Sequence, residues 1–209
     1  IEIANRLAIT AEYRDNETGR HIARMAHYCR LIAHNLGLTL AQQNMIFQAS
    51  PLHDVGKVAI PDAILLKPGK LTPEEFTIMQ THTTIGSEII SGSPSPLIQL
   101  AGSLALTHHE KFDGSGYPNG LIGDAIPLSG RITAVADVFD ALTSTRPYKK
   151  AWSISDAKSF LQENCGNHFD SQCVKTFLAV PSCVESIYNE EFITSEVSYS
   201  EICSVRQMV

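Results

Sequence analysis

Eight side chains able to hold a metal ion recur along this chain in a fixed order: Glu17, His21, the adjacent pair His53–Asp54, His82, the adjacent pair His108–His109, and Asp137. They lie in separate stretches, so a fold that uses them must bring several segments to one point. Helical bundles build metal sites in this way, from the facing sides of several helices. Glu17 and His21 are four residues apart and project from one helical face. His53 and Asp54, if helical, point about 100° apart, so they cannot simply stack on one ion. A carboxylate has two oxygens, however, and Asp54 is the natural bridge between two ions. His108–His109 repeats the adjacent geometry at a helix end, and runs into a loop reading HHEKFDGSGYPNGL.

The surrounding pattern is helical, and the fold class expected is all-α. Residues 1–14 place Ala4, Leu7, Ala8 and Ala11 on one face. A second helix is expected from about Glu17 to Leu36, where Gly37 can end it. Residues 40–55 form an amphipathic stretch ending at His53–Asp54. Thr72-Pro-Glu-Glu reads as a capping box, with Pro73 at the first helical position and Glu75 closing the box. Further helices are expected near 97–109, at 129–143, from Ser153 and after Asp170. Residues 110–128 hold six Gly or Pro residues without apolar periodicity, the mark of a long functional loop. No run of alternating β-branched residues occurs before residue 180. The division expected is a domain over residues 1–180 and a Ser- and Glu-rich extension over 181–209 of undecided structure.

Composition narrows the function. A chain of 209 residues with 44% hydrophobic content can bury one sizeable core. Its formal charge of −6 argues against retention on DNA or a membrane by bulk electrostatics. No apolar run approaches the roughly 20 residues of a membrane span, and no signal peptide opens the chain. Cys29, Cys165, Cys173, Cys183 and Cys203 form no CxxC and are expected to be reduced, as in a cytoplasmic protein. The chain begins at Ile1 in helical pattern, as expected of a domain cut from a longer protein with a regulatory domain upstream. A homodimer through the first helix is a further possibility.

Imidazoles and carboxylates without thiolates point to iron or manganese rather than structural zinc. Eight residues with bridging carboxylates fill most of the about twelve positions two octahedral ions present, leaving room for water and phosphate oxygens. Such a centre cleaves phosphodiesters by activating water and holding phosphoryl oxygens. Lys57 falls on the ligand side of Asp54 and can hydrogen-bond the attacking group or a phosphate. Arg146 and Lys149, three apart, form a phosphate clamp on an otherwise acidic chain. His27, His34 and His168 are assigned to packing or surface, and Asp113 to capping its loop. Asp140, one turn past Asp137, is either a partner of a ligand or a surface charge.

His53-Asp54-Val-Gly-Lys57 together with His108-His109-Glu-Lys-Phe-Asp-Gly-Ser-Gly116-Tyr117-Pro118 resembles the HD-GYP domain, a branch of the HD phosphohydrolase superfamily, over about residues 1–180. The resemblance implies an HD-domain helical bundle with a long GYP loop. It implies hydrolysis of cyclic di-GMP to pGpG, and in many members to GMP, at a centre of two or three metals, usually iron and sometimes manganese. Glu17 occupies the position of the glutamate that accompanies a third ion. The family's substrate-contacting residues fall on Tyr117, Arg146 and Lys149, with Gly114 and Gly116 letting backbone approach the ligand. Two alternatives stay open: hydrolysis of 3′,3′-cyclic GMP-AMP, and a low-activity signalling platform that binds partners through the loop.

Overall fold

The structure, a computed structural model, describes residues 2–14, 19–145 and 150–190. These residues form ten α-helices and three short 3₁₀ turns, with no strand beyond the isolated bridges Asp113–Ile122 and Cys165–Phe169. The all-α expectation holds. The helices are α1 (Glu2–Tyr13), α2 (Gly19–Asn35), α3 (Leu40–Ala49), α4 (Asp62–Leu65), α5 (Pro73–Ile90), α6 (Pro96–Thr107), α7 (Leu128–Thr143), α8 (Ile154–Glu163), α9 (Ser171–Leu178) and α10 (Pro181–Tyr188).

Local chemistry sets several boundaries where the sequence suggested. Thr72 accepts from Glu75 N while Glu75 reaches back to Thr72 N, and Pro73 stands at the first helical position of α5. Thr39 and Gln42 close a second capping box on α3, and Ser153 accepts from Asp156 N at the start of α8. Gly37 takes φ +79°, and the amides of Gly37 and Leu38 satisfy the last carbonyls of α2.

Three expectations need correction. The α-helix of residues 40–55 ends at Ala49, and His53–Asp54 sits between 3₁₀ turns at Ser50–Leu52 and Val55–Ala59. Pro51 accounts for the break: it brings no amide to continue the α-helical ladder, and although Ser50 keeps α-region angles the chain goes on as a 3₁₀ turn. Leu7, placed on the inner face of α1, is 55% exposed, while Ala8 and Ala11 are buried. The small alanines let α1 lie close to the 3₁₀ turns, and Leu7 falls outside that narrow contact. Among the cysteines, Cys29, Cys165 and Cys173 are free as expected. Cys183 is disulfide-bonded, against expectation, because pairing depends on tertiary proximity that spacing does not encode.

The larger core surrounds Tyr28 of α2, Phe139 of α7 and Phe177 of α9, which meet edge to face with centroids 4.9–5.6 Å apart. Each buried phenylalanine contributes roughly 2 kcal/mol of apolar burial. Cys183, Val184 and Ile187 of α10 join the same core. A second core packs Ala8, Ile22, Leu52, Val55, Ala101 and Leu104 beneath the 3₁₀ turns. α2 serves both, with Met25 and Tyr28 in the first and Ile22 in the second. Gly56 and Gly86 let the Val55–Ala59 turn press on α5: a Cβ at Gly56 would stand 1.9 Å from the His82 carbonyl oxygen. No helix of the described residues is long and apolar enough to cross a membrane.

Candidate metal centre

Seven of the eight expected ligands converge; Glu17 lies outside the described residues, as do Arg146 and Lys149. The seven form two adjoining groups: Asp54 with His82, His108 and His109, and His21 with His53 and Asp137, each with its ligand atoms mutually within 4.8 Å. Asp54 joins them. Its Oδ1 lies 3.2 Å from His82 Nε2 and 3.4 Å from His108 Nε2, while Oδ2 lies 3.3 Å from His53 Nε2. Asp137 Oδ1 stands 3.8 Å from His21 Nε2 and 3.9 Å from His53 Nε2.

The histidine tautomers follow from what the other ring nitrogen touches. His53 Nδ1 lies 2.9 Å from Ser50 O, His82 Nδ1 2.6 Å from Met79 O, and His108 Nδ1 3.0 Å from Leu104 O. A carbonyl only accepts, so each Nδ1 carries the proton and Nε2 presents its lone pair inward. His21 Nδ1 likewise donates to Asp140 Oδ2 at 2.6 Å.

Bare nitrogen lone pairs thus face a carboxylate oxygen from two sides, and Asp54 Oδ1 is buried without a hydrogen-bond partner. Such an arrangement is repulsive unless a cation stands between the donors. The described residues fit a divalent metal.

The electrostatics agree. Burial would raise the Asp54 carboxyl, but Lys57 and His53 outweigh it and hold it well below the usual range. Lys57 Nζ lies 2.7 Å from Asp54 Oδ2. Burial, reinforced by the neighbouring imidazoles, pushes His109 well below its ordinary value. Burial lowers His108 too, against the pull of Asp54. Both favour the neutral, metal-binding form.

The loop after His109 closes one side. Tyr117 stacks on His109 with centroids 4.8 Å apart and meets Phe76 edge-on. Tyr117–Pro118 is cis. Gly114 has φ +84° in a turn against Ile122, and Gly116 packs on the loop's own backbone, where a Cβ would come 2.2 Å from Lys111 N. Asp113 Oδ1 accepts from Ser115 N, the capping role expected of it. His27 packs on Phe47, His168 stacks on Phe169, and His34 is exposed.

Three residues are not assigned by sequence reasoning, or only in part. Glu110, only 2% exposed, accepts from Asn119 N and Leu121 N and holds the loop from within. Asp140 is fully buried: burial opposes its ionisation, and hydrogen bonds from His21 and Arg24 overcome this to lower its pKa. Arg24 Nε and Nη2 grip Asp140 at 2.7 and 2.8 Å. The only signal for Arg24 is its place one turn after His21.

Comparison with known proteins agrees with this geometry. Residues 6–173 match the HD domain family. The chain is 50% identical over 186 residues to the cyclic di-GMP phosphodiesterase response regulator RpfG of Xanthomonas campestris, covering 89% of this chain and 49% of that protein. It is 52% identical over 177 residues to 3′3′-cGAMP-specific phosphodiesterase 2 of Vibrio cholerae, covering 85% and 34%. A crystal structure of a cyclic GMP-AMP-specific phosphodiesterase from V. cholerae superposes with a TM-score of 0.66 at 18% identity, over 89% of this chain and 50% of that one. The chain belongs to the HD domain family. It spans about half the length, or less, of these relatives.

Proposed function

We propose that the chain is a metal-dependent cyclic dinucleotide phosphodiesterase of the HD-GYP type that hydrolyses cyclic di-GMP, with pGpG or GMP as the end product. The observation that carries this reading is the pair of adjoining ligand groups, joined where Asp54 of one meets His53 of the other, set beside Lys57 and the Tyr117 loop. Relatives named as cyclic di-GMP phosphodiesterases at 50% and 47% identity support the substrate. One at 52% named for 3′3′-cGAMP supports a second reading, in which the hybrid dinucleotide is preferred.

The donor set suits iron or manganese, held by His21, His53, Asp54 and Asp137 on one side and Asp54, His82, His108 and His109 on the other, with Glu17 toward a third ion. Bound there, the ions would supply Lewis acidity and an activated water for phosphodiester cleavage. Lys57 brings its ammonium to the same oxygen of Asp54 that faces His53, where it can hydrogen-bond a phosphate oxygen as negative charge grows in the transition state. The Tyr117 ring, fixed by His109, offers a flat wall for a nucleobase or ribose. Arg146 and Lys149 are assigned to the phosphates. Gly114 and Gly116 shape the loop that carries Tyr117, and backbone approach to the ligand is assigned to them there. The catalytic division would lie within residues 1–180.

The test is elemental analysis of anaerobically purified protein, with turnover of cyclic di-GMP and 3′,3′-cyclic GMP-AMP measured on the same sample. Two or three ions per chain with pGpG or GMP appearing supports the reading, and Asp54→Ala should abolish both ion uptake and turnover. Full metal with only the hybrid cleaved selects the second reading. Full metal without turnover of either would overturn both.

A further inference from the structure

α2 and α7 face each other through four side chains set in register: His21 and Arg24 on one helix, Asp137 and Asp140 on the other. The inner member of each pair belongs to the metal centre, and the outer members form a closed unit behind it. Arg24 grips both oxygens of Asp140, Nε to Oδ1 at 2.7 Å and Nη2 to Oδ2 at 2.8 Å. Ser144 Oγ lies 2.7 Å from Arg24 Nη2 and 3.0 Å from Asp140 Oδ2. The remaining edge of the guanidinium reaches Glu190 at 3.3 Å. Asp140 Oδ2, so fixed, is the atom that accepts from His21 Nδ1.

We infer that Arg24 is a positioning residue for the metal centre: through Asp140 it fixes the ring plane and proton of His21, and so aims His21 Nε2 at the site shared with His53 and Asp137. The inference rests on the metal reading above. Its geometric basis is the planar fork. A guanidinium matches both oxygens of a carboxylate, so Asp140 cannot rotate about its last bond, and the direction in which it accepts from His21 is set. The other three histidines with an assigned proton direct it to a carbonyl of their own preceding turn. His21 directs it to a side chain whose direction depends on its own partners, Arg24 on both oxygens and Ser144 on Oδ2. Residues that orient a ligand in this way commonly change metal affinity about 10- to 100-fold when replaced. A plain structural role is the competing account, since a buried ion pair also joins α2 to α7. Arg131 supplies the comparison. Its Nη1 pairs with Asp170 Oδ2 at 2.6 Å through a single contact, outside both ligand groups.

The experiment is a manganese titration with free ion read by electron paramagnetic resonance, together with the visible spectrum of the cobalt-loaded protein. It uses the whole chain, Arg24→Lys, Arg131→Lys and His82→Ala, with folding checked by circular dichroism. The unaltered chain should take up at least two ions. Arg24→Lys should keep one ion at full affinity, lose about 10- to 100-fold for another, and shift the cobalt bands. Arg131→Lys should match the unaltered chain in both readouts, and His82→Ala should weaken the other ion. Arg24→Lys with unaltered uptake and spectrum overturns the inference, as does equal weakening of both ions, the mark of general loosening. If Arg24→Lys does not fold, Asp140→Asn replaces it. That variant keeps the volume but loses an oxygen that accepts from Arg24 and His21, and unaltered uptake by it overturns the inference equally. Failure of the folded, unaltered chain to bind any ion instead overturns the metal reading, and the inference falls with it.

Discussion

Lys57 Nζ lies 2.7 Å from Asp54 Oδ2, while the other oxygen of Asp54 faces His82 and His108. The carboxylate therefore meets Lys57 and His53 through one oxygen and His82 and His108 through the other. Replacing Lys57 should test chemistry more than assembly, because bound ions would balance Asp54 without it. Lys57→Ala should keep its full metal content and lose about 100-fold in kcat, the scale of one lost transition-state donor. Steady-state kinetics beside elemental analysis checks this, and loss of metal would show that Lys57 holds the centre together instead.

Glu110 acts on the loop from inside. Glu110→Ala leaves the amides of Asn119 and Leu121 without their acceptor, and Tyr117 lies on the segment they restrain. Metal uptake should be unchanged, and KM for cyclic di-GMP should rise about tenfold, equivalent to about 1.4 kcal/mol. A fall in kcat at constant KM would mean that the loop serves the reaction step and not substrate capture.

Two glycines make opposite forecasts for stability. Gly56→Ala sets a methyl 1.9 Å from the His82 carbonyl oxygen and 2.5 Å from Gly86 N, so backbone must move. The expected loss is about 3 kcal/mol. Gly102, inside α6, has its nearest neighbours at 3.9 Å, and Gly102→Ala should gain roughly 0.5–1 kcal/mol from helix propensity. Urea unfolding of the two variants separates the cases.

His27 gives a pH dependence remote from the centre. Burial first, then Arg30, lowers its folded pKa from 6.5 to about 4. Because the folded value is the lower one, the unfolded chain takes up the proton first on acidification. The stabilising effect of a neutral His27 is complete above about pH 6.5 and is lost progressively toward pH 4. His27→Gln cannot take up that proton, so its stability relative to the unaltered chain should improve by about 1 kcal/mol between pH 7 and pH 5, discounted for partial exposure. Equal pH dependence of both chains in thermal unfolding would reject this.

Features that depend on neighbours along the chain are legible in the sequence. The Thr72–Glu75 box, the Gly37 terminus and the ordered loop after His109 each rest on short-range rules, and the ligand series needs only spacing and residue type. The 3₁₀ setting of His53–Asp54 is within reach, because Pro51 lacks the amide that a continued α-helix would use, but the amphipathic pattern of residues 40–55 masks it. Arg24–Asp140 is not legible: the two lie 116 residues apart, and nothing in either segment names the other. Leu7 misleads because apolar character says that a face is sticky, not that the neighbouring helix is wide enough to cover it.

The protons on His53, His82 and His108 go to carbonyls three or four positions back along the chain. Each short stretch of backbone thus aims its own imidazole without help from the other segments. An ion entering such a site would find these three rings already turned toward it. The same economy makes the centre sensitive to chain length: a single residue inserted between Met79 and His82 would turn that imidazole about 100° away from Asp54, with every ligand still present in the sequence.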